Sequence, residues 1–378
     1  MNIRRPAVAF AFLISCAFPL IAAQRSFVAS SGSDSNPCSR DLPCRSFNTA
    51  IGATTAGGEV VALDSAGYGV ASINGSITIV GAPGVHAGVS AFTGSAITVN
   101  AGTTNVVTVR NLYINGLGAT IGIDAQVVGT LHIDHCTVAN FSSQDVNIVA
   151  DEARVFIDDT TIREGDAYGI LANATTAPQL IIVNTNVERV LTGYGVAVGN
   201  ANVTIRASSI SGCGDGVLAF DTGVGGTVGR VDIESSNVSG NFFAGIFAVG
   251  NCAVSIHDSV IAENGDDGIR IEGSSASGPS RVSAHNCAIS NQPTGVLVAG
   301  SGQTLNTAIL SNCQITQNSS FGVEVASGNN QAVLTGNTIT LNGTGVDNSG
   351  SVFSAGDNAI HSNTTDVNGT ALTSFAKQ

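Results

Sequence analysis

The sequence predicts an all-β fold in which one short unit of chain is repeated and stacked as a parallel solenoid. The first observation is periodicity, because the apolar frame of the segment LHIDHCTV recurs every 23 to 28 residues. The second is the alternation of apolar and polar residues within each unit, rich in Val, Ile and Thr, which is typical of strands. Self-similarity at this period marks a repeat architecture. The frame begins at Val107, Leu131, Val155, Leu180, Val203, Val231, Val254, Val282, Ala308 and Ala332.

Each unit contains three short strands and no apolar stripe at helical spacing, so a single unit cannot bury its own apolar face. Coiled on itself and stacked about 4.8 Å above its neighbour, it can. Equivalent residues then form inner columns, such as Ile133, Ile157, Ile182, Ile205, Ile233 and Ile256 on the first strand and Val138, Ile162, Val187, Ile210, Val238 and Ile261 on the second. A leucine-rich repeat is the alternative at this period, but neither a regular Leu frame nor an Asn ladder is evident.

The first 23 residues are predicted to be a signal peptide. Arg4 and Arg5 precede an apolar run that ends in the small residues Ala22 and Ala23. The residues before Cys16 also fit a lipobox, which leaves a lipid anchor as an alternative. No later segment has 18 uninterrupted apolar residues, so no transmembrane span is expected. The sequence therefore predicts an exported protein, periplasmic or extracellular.

Residues 24–59 are predicted to form an N-terminal cap. Cys38 and Cys44 lie six residues apart, and in an exported chain we expect them to pair as a disulfide. A short helix is predicted from Ser46 to Thr55, with Ser46 as N-cap, and it would cover strand edges that could otherwise pair with another chain. The solenoid would follow as one domain at 60–347, and 348–378 would form a polar C-terminal cap.

The chain is strongly acidic, with a formal net charge of −13. This balance argues against nucleic acid or anionic lipid as a partner. It also disfavours the binding of polyanionic sugars, unless a bound cation or a local Arg cluster makes the charge of the binding surface positive. Neutral glycans, or a divalent cation such as calcium, fit the charge better.

Two segments, VTIRASSISGCGDGVLAF and VSIHDSVIAENGDDGIRIEG, resemble repeats of right-handed parallel β-helix proteins of the pectate-lyase-like superfamily. The segments FVASSGSDSNPCSRDLPCRSFNTAIGAT and DNAIHSNTTDVNGTALTSFA resemble the caps of secreted bacterial members. The resemblance implies a single right-handed parallel β-helix over almost the whole mature chain. It leaves the activity open, because the superfamily includes lyases, hydrolases, epimerases, adhesins and scaffolds.

Outward positions of the first strand carry two clusters of charged residues that we consider as catalytic candidates. Carboxylates beside imidazoles can bind a divalent cation or perform acid–base chemistry near neutral pH. Ion pairing between adjacent strands is the structural alternative. The first cluster comprises Arg110, His132, Asp134, His135, Asp158 and Asp159, and the second comprises Arg206, Asp232, Glu234, His257, Asp258 and His285.

A third candidate is the segment GDDGIRI, from Gly265 to Ile271. It resembles the paired-Asp motif of polygalacturonase-type hydrolases, in which adjacent Asp residues supply the general acid and base. Asp266 and Asp267 match that motif, and Asp215 is predicted to lie in the column of Asp267, two rungs below. The partner motifs of that family are missing, and Asp-Gly before a strand is also ordinary turn chemistry.

The third strand is predicted to carry an exposed binding surface on its outward side. Tyr168 and Tyr194 would stack at the preceding corner and could support a sugar ring. Exposed apolar side chains in register usually mark a contact surface. This predicted surface also includes Leu218, Phe247, Arg270 and Leu297.

These observations favour an exported β-helix that acts as a binding or structural surface, most simply toward extracellular polysaccharide. The alternative is a polysaccharide lyase or uronate epimerase that uses one of the His/Asp/Arg clusters. Neither cluster has a Lys or Tyr base beside its Arg, which disfavours the alternative. Insertions at Asp221–Arg230, Gly273–Arg281 and Gly300–Thr307 are predicted to emerge at a different corner from these clusters, which also disfavours it.

Overall fold

A stack of parallel strands forms most of the described chain, with one short helix near its start. The structure is a computed structural model that describes residues 23–221, 229–274, 278–301 and 304–376. The predicted signal peptide, with Cys16, lies outside the described residues except for Ala23. Within the described ranges, no helix is long and apolar enough to cross a membrane.

The N-terminal elements start the stack. Strand β1 (Ala23–Val28) pairs in parallel with β2 (Thr54–Ala62), so the coil begins earlier than the predicted residue 60. Helix α1 (Phe47–Ala53) lies between them, and the Ser46 side chain accepts a hydrogen bond from the Thr49 N–H as its N-cap, as predicted. The predicted disulfide Cys38–Cys44 is present.

Each later turn of the coil, here called a rung, contributes one strand to each of three faces. The first-strand face continues through β5 (Ile77–Gly81), the ends of the long strands β7 (Ser95–Arg110) and β9 (Ile121–Asp134), β12 (Arg154–Asp158), β15 (Gln179–Val183), β18 (Asn202–Arg206), β21 (Gly229–Glu234), β24 (Cys252–His257), β27 (Ser280–His285), β30 (Asn306–Ser311), β33 (Asn330–Thr335), β36 (Ser351–Ser354) and β39 (Thr373–Ser374).

The second face is a sheet of 13 short strands. Its strands are β3 (Ala66–Gly67), β6 (Ala87–Ala91), β8 (Leu112–Gly116), β10 (Thr137–Ala139), β13 (Thr161–Arg163), β16 (Asn186–Glu188), β19 (Ser209–Ser211), β22 (Asn237–Ser239), β25 (Val260–Ala262), β28 (Ala288–Ser290), β31 (Gln314–Thr316), β34 (Thr338–Thr340) and β37 (Ala359–Ile360).

The third-strand face begins with β4 (Ala71–Ile73) and the first halves of β7 and β9. It continues through β11 (Gln144–Ile148), β14 (Tyr168–Ala172), β17 (Tyr194–Val198), β20 (Asp215–Phe220), β23 (Ile246–Val249), β26 (Asp267–Ser274), β29 (Thr294–Ser301), β32 (Phe321–Val325), β35 (Thr344–Asn348) and β38 (Thr365–Gly369). The long strands β7 and β9 join this face to the first-strand face, which together form one sheet of 26 strands.

The predicted register is confirmed. Ile133 pairs with Ile157, and Ile157 with Ile182, while Val138 pairs with Ile162 on the second face. These side chains are buried, and they belong to one continuous apolar core that runs the length of the stack. Each buried aliphatic side chain contributes roughly 1.5–3 kcal/mol relative to exposure, before the chain entropy is subtracted.

The structure also contains a ladder of amide side chains, which sequence reasoning did not find. It lies inside the corner between the second and third strands, where most amides donate to the oxygen of the amide on the next rung, as Asn264 does to Gln292 at 3.1 Å. The ladder is interrupted after Gln292, which donates to the Ile261 carbonyl at 3.3 Å, and Asn318 Oδ1 accepts no hydrogen bond from the described residues. Buried polar groups need such partners. Its members are Asn241, Asn264, Gln292, Asn318, Asn342 and Asn363.

The C-terminal residues continue the coil instead of forming a separate cap. Strand β36 pairs in register with β33, and β38 pairs with β35, so the stack extends beyond the predicted boundary at residue 347. Polar, exposed residues of β38 obscured this rung in the sequence.

Candidate functional site

The first predicted cluster forms a chain of charged contacts across three rungs. Arg110 Nε lies 2.5 Å from Asp134 Oδ2, the other Asp134 oxygen contacts His135 Nδ1, and His135 Nε2 lies 3.5 Å from Asp159 Oδ2. Although burial raises the pKa of Asp134, hydrogen bonds from His135 and Arg110 outweigh it and the net shift is downward. The hydrogen bond to Asp134 raises the pKa of His135. Arg110, Asp134, His135 and Asp159 therefore pair with one another, whereas Asp158 Oδ1 is buried without a hydrogen-bond partner among the described residues.

The same cluster is the candidate metal centre of the described residues. Ligand atoms of Asp134, His135 and Asp159 all lie within 4.8 Å of one another. Carboxylate and imidazole ligands would suit a transition metal such as zinc better than calcium, which prefers oxygen. However, both nitrogens of His135 are directed at carboxylates, so a metal ion would have to displace those contacts.

Corner geometry gives a structural reason for several cluster residues. His135, Asp159 and Asp258 have φ values of 51°, 45° and 51°. They occupy the corner between the first and second strands, where the chain needs the left-handed conformation. His, Asp and Asn adopt this conformation more readily than most residues with a side chain. Part of the histidine and aspartate concentration therefore reflects the turn.

The second cluster separates into pairs. Arg206 Nε lies 2.7 Å from Glu234 Oε2, while the His257 and His285 rings lie 6.2 Å apart in one column. Asp258 is at the corner, where Asn286 donates to its Oδ1 at 2.6 Å. The structure therefore does not assemble the residues of the second cluster around one point.

Both clusters border clefts on the first-strand face. Arg110, His132, Asp134 and Asp158 line a cleft of about 280 Å³, in which the ring of His132 stacks on Phe156 at 4.9 Å. Burial lowers the pKa of His132.

A larger cleft, of about 450 Å³, lies on the next five rungs of the same face. It is lined by Asp232 and His257, and by Arg230, Arg281 and Thr307, which end the three predicted insertions. The insertions lie between third and first strands, at the other end of the first strand from the corner that holds His135 and Asp258, but the residues that end them still line this cleft. Parts of the insertions lie outside the described residues.

The third-strand face holds the most strongly perturbed carboxyl group of the three candidate sets. Asp267 is 2 % exposed, its Oδ2 accepts no hydrogen bond from the described residues, and burial raises its pKa to about 7. Arg270 Nη1 lies 3.9 Å from Asp267 and 3.5 Å from Asp266, and Arg270 Nη2 lies 2.6 Å from Glu272. Clusters of perturbed titratable groups are typical of functional sites.

Asp215 and the tyrosines share one column with Asp267. Tyr168 pairs with Tyr194, which pairs with Asp215, and the tyrosine rings stack at 5.7 Å. Asp215 accepts a hydrogen bond from the Ala244 N–H at 2.7 Å, and burial raises its pKa. The register then runs through Ala244 to Asp267, which confirms the predicted separation of two rungs.

Part of the predicted binding surface is not exposed. The register from Leu218 through Phe247 and Arg270 to Leu297 is as predicted. However, Leu218 is only 8 % exposed, and Phe247 and Leu297 are half-buried. Arg270 contributes to this, because its guanidinium lies 5.2 Å from the centroid of the Phe247 ring in a cation–π contact.

Comparison with known proteins identifies the fold family. The family model described as right handed beta helix region matches residues 95–261, 144–307 and 267–376. The chain belongs to the right-handed β-helix family. This confirms the predicted right-handed parallel β-helix.

Solved structures with this β-helix fold include the A-modules of two mannuronan C-5 epimerases from Azotobacter vinelandii. The AlgE4 module is 13% identical with a TM-score of 0.54, and the match covers 85% of this chain and 91% of that chain. The AlgE6 module is 14% identical with a TM-score of 0.48, over 85% and 92% of the two chains. No curated protein matches the sequence.

Two exposed aromatic residues of the β-helix were missed by sequence reasoning. Phe242 and Phe243 are 61% and 59% exposed. The Phe243 N–H donates to the Gly214 carbonyl, and the Phe243 carbonyl accepts from the Asp266 N–H, which places this pair on the rung between Asp215 and Asp267. The sequence did contain a signal for this exposed pair. Two adjacent aromatic residues occur at a polar corner, where the fold does not require a buried side chain.

Proposed function

We propose that this β-helix protein binds an extended polysaccharide along the corner that leads into its third-strand face. The observation that carries the proposal is one line of groups on successive rungs, here called the lane. The lane consists of Tyr168, Tyr194, Asp215, the pair Phe242–Phe243, Asp267 and Arg270.

The aromatic members of the lane suit the apolar faces of sugar rings. Tyr168 and Tyr194 are half-buried and stacked, so their rings are held in place by one another. Phe242 and Phe243 expose more than half of their surface two rungs further along. Aromatic side chains offer a large contact area at low conformational cost, and they are common in ligand sites.

The polar members of the lane suit sugar hydroxyl groups. Asp215 is half-buried and one of its oxygens is bonded to the Ala244 N–H, whereas Asp267 Oδ2 is buried at the edge of the lane and accepts no hydrogen bond from the described residues. Rungs are spaced at about 4.8 Å, so the lane extends for roughly 20 Å, which favours a chain of sugars over a single sugar. The name of the AlgE4 epimerase refers to mannuronan, which makes a polysaccharide ligand compatible with this fold.

Replacing Tyr194 or Phe243 by alanine is expected to weaken polysaccharide binding by about tenfold each, because each change removes a stacking surface. Isothermal titration with alginate, pectate and neutral glycans, with and without calcium, measures the affinity. Phe92→Ala is the matched control, because Phe92 is an exposed phenylalanine (69%) outside the lane. Equal affinities for Tyr194→Ala and the wild-type protein would contradict the proposal.

A glycoside hydrolase is the second candidate function, and the raised pKa of Asp267 favours it. A carboxyl group with a pKa of about 7 can hold a proton for a leaving group, and Asp215 could activate water. Two rungs separate their backbones by about 10 Å, near the 6.5–9.5 Å between carboxyl groups that inverting enzymes use.

If this chemistry occurs, Asp267→Asn is expected to lower the release of reducing ends by more than 100-fold while polysaccharide binding persists. Reducing-end assays and titration of the same variant separate the two functions. A wild-type protein that binds glycans without releasing reducing ends would exclude the hydrolase and leave the binding proposal intact. Unsaturated products, seen by ultraviolet absorbance, would instead support the lyase alternative.

A further inference from the structure

The larger cleft of the first-strand face contains two arginines that no ion pair explains. Arg230 and Arg281 are both exposed, and neither forms an ion pair with a residue that the structure describes. By contrast, Arg110 and Arg206 on the same face each pair with a carboxylate of the next rung. Arg154, on the same face, is likewise exposed without an ion pair among the described residues, so what distinguishes Arg230 and Arg281 is that both line one cleft.

The register places these arginines on either side of a gap. Arg230 pairs with Ala253, and Ala253 pairs with Arg281, so the arginines share a column and are separated by one rung. Their backbones are therefore about 10 Å apart. The alanine methyl group fills little of the space between them. An oxyanion in this gap could receive hydrogen bonds from both guanidinium groups, the geometry that arginine provides best.

The neighbouring column supplies uncharged and acceptor groups. Asp232 pairs with Ser255 and Ser255 with Ser283, and the two serine hydroxyl groups lie 3.3 Å apart. Asp232 Oδ1 is buried and has no hydrogen-bond partner among the described residues. A buried acceptor without a donor carries a cost, which a ligand O–H or N–H would remove. The same carboxylate would repel an anion that lacks such a donor.

From this arrangement we propose that the cleft is a binding site for a small organic anion that carries an O–H or N–H donor beside its charged group. Arg230 and Arg281 bind the oxyanion, either a carboxylate or a phosphate, over Ala253. Asp232 accepts the hydrogen bond from the donor. The cleft volume of about 450 Å³ is within the range of small-molecule sites. The site lies on a different face from the lane and does not depend on the proposed polysaccharide function.

The test is isothermal titration of the full protein with glucuronate, glucose 6-phosphate, glucose and acetate at low ionic strength. Glucuronate or glucose 6-phosphate should bind, and which of them binds more tightly distinguishes a carboxylate from a phosphate site. Glucose, which lacks the charge, and acetate, which lacks the hydroxyl groups, should each bind at least tenfold more weakly. Failure of both hydroxylated anions to bind would overturn the proposal.

Variants locate the site. Arg230→Ala and Arg281→Ala should each weaken binding by about tenfold or more, and Ala253→Leu should do the same by filling the gap without a change of charge. Arg154→Ala is the matched control, because Arg154 is an exposed arginine in the same column, three rungs below Arg230. An equal loss of anion affinity in Arg154→Ala would show that any positive charge on this face affects binding, and it would also overturn the proposal. Tyr194→Ala, on the other face, should bind the anion normally.

Discussion

Replacing Asp145 by asparagine is expected to stabilise the protein by about 5 kcal/mol above pH 8 and to leave its stability nearly unchanged below pH 4. Asp145 is fully buried, and its Oδ2 has no hydrogen-bond partner among the described residues. Burial raises its pKa to about 8, and the nearby Asp166 adds to the shift. Only a hydrogen bond from the Phe141 N–H, at 3.3 Å, opposes it.

The direction of this pH dependence follows from the number of protons that the folded and unfolded states bind. In the unfolded chain Asp145 loses its proton near its ordinary pKa of 3.8, whereas in the folded protein it keeps the proton until about pH 8. The folded state therefore binds more protons between these values, and stability falls as the pH rises through this interval. Asparagine has almost the same volume and does not titrate, so the variant should lose most of this slope.

Urea unfolding across a series of pH values measures this effect. Asp41→Asn is the control for loss of an aspartate charge, because Asp41 is exposed and does not contribute to the shift of the Asp145 pKa. Asp215 and Asp267 also have raised pKa values, so a smaller slope of the same sign should persist in Asp145→Asn. Wild-type stability that stays constant from pH 4 to pH 8 would contradict the assignment.

Replacing Asn342 by alanine is expected to lower the free energy of unfolding by about 4 kcal/mol, because it breaks the amide ladder. Asn342 is 3 % exposed. Its Oδ1 accepts from both the backbone and the side-chain N–H of Asn318, at 3.0 and 2.9 Å, and its Nδ2 donates to the Ile315 carbonyl at 3.0 Å. Alanine would remove these hydrogen bonds and the one from Asn342 Nδ2 to Asn363 Oδ1 at 3.0 Å, and it would leave the Asn318 backbone N–H in the buried corner without its acceptor.

Denaturant midpoints of the two proteins, measured by circular dichroism, test this expectation. Asn368→Ala is a matched control, because Asn368 is exposed and makes one side-chain hydrogen bond, to Asp347 at 2.5 Å. Its substitution should change stability by less than about 1 kcal/mol. Similar losses in the two variants would show that the ladder contributes no more than a surface contact.

The sequence predicted the register well, because inward positions must be apolar and a slip by one residue would expose them. Ile133 and Val138 mark that frame in their unit, and the same frame placed Tyr168, Tyr194 and Asp215 in one column. The amide ladder escaped prediction because asparagine after a strand is typical of an exposed turn. The ladder amides are buried because amide side chains from successive rungs stack on one another, and the sequence of a single unit does not show this stacking.

The same limit applies to Asp145. Register places it where the neighbouring rungs have glycine, such as Gly122 and Gly169. A Cβ atom added at Gly165 would lie 2.3 Å from Asp145 Oδ2, so this carboxyl group occupies the space that a side chain at Gly165 would need. The large side chain of Asp145 on one rung is thus matched by the missing side chain of Gly165 on the next. The sequence of one rung alone does not reveal such a match. Likewise, the burial of Leu218 could not be predicted from its outward position in the repeat, because it results from neighbouring side chains that cover it.

Stacking by whole rungs also sets the reach of any ligand that lies along the coil. Among the described strands, each rung pairs with the rungs directly above and below it, so the cross-section is independent of how many rungs there are. Deleting one complete unit would bring its two neighbours into register and shorten the lane by a single step of about 4.8 Å. If the lane binds a polysaccharide as proposed, the number of sugars that it holds would therefore rise with the number of rungs, while the chemistry at each rung would stay the same.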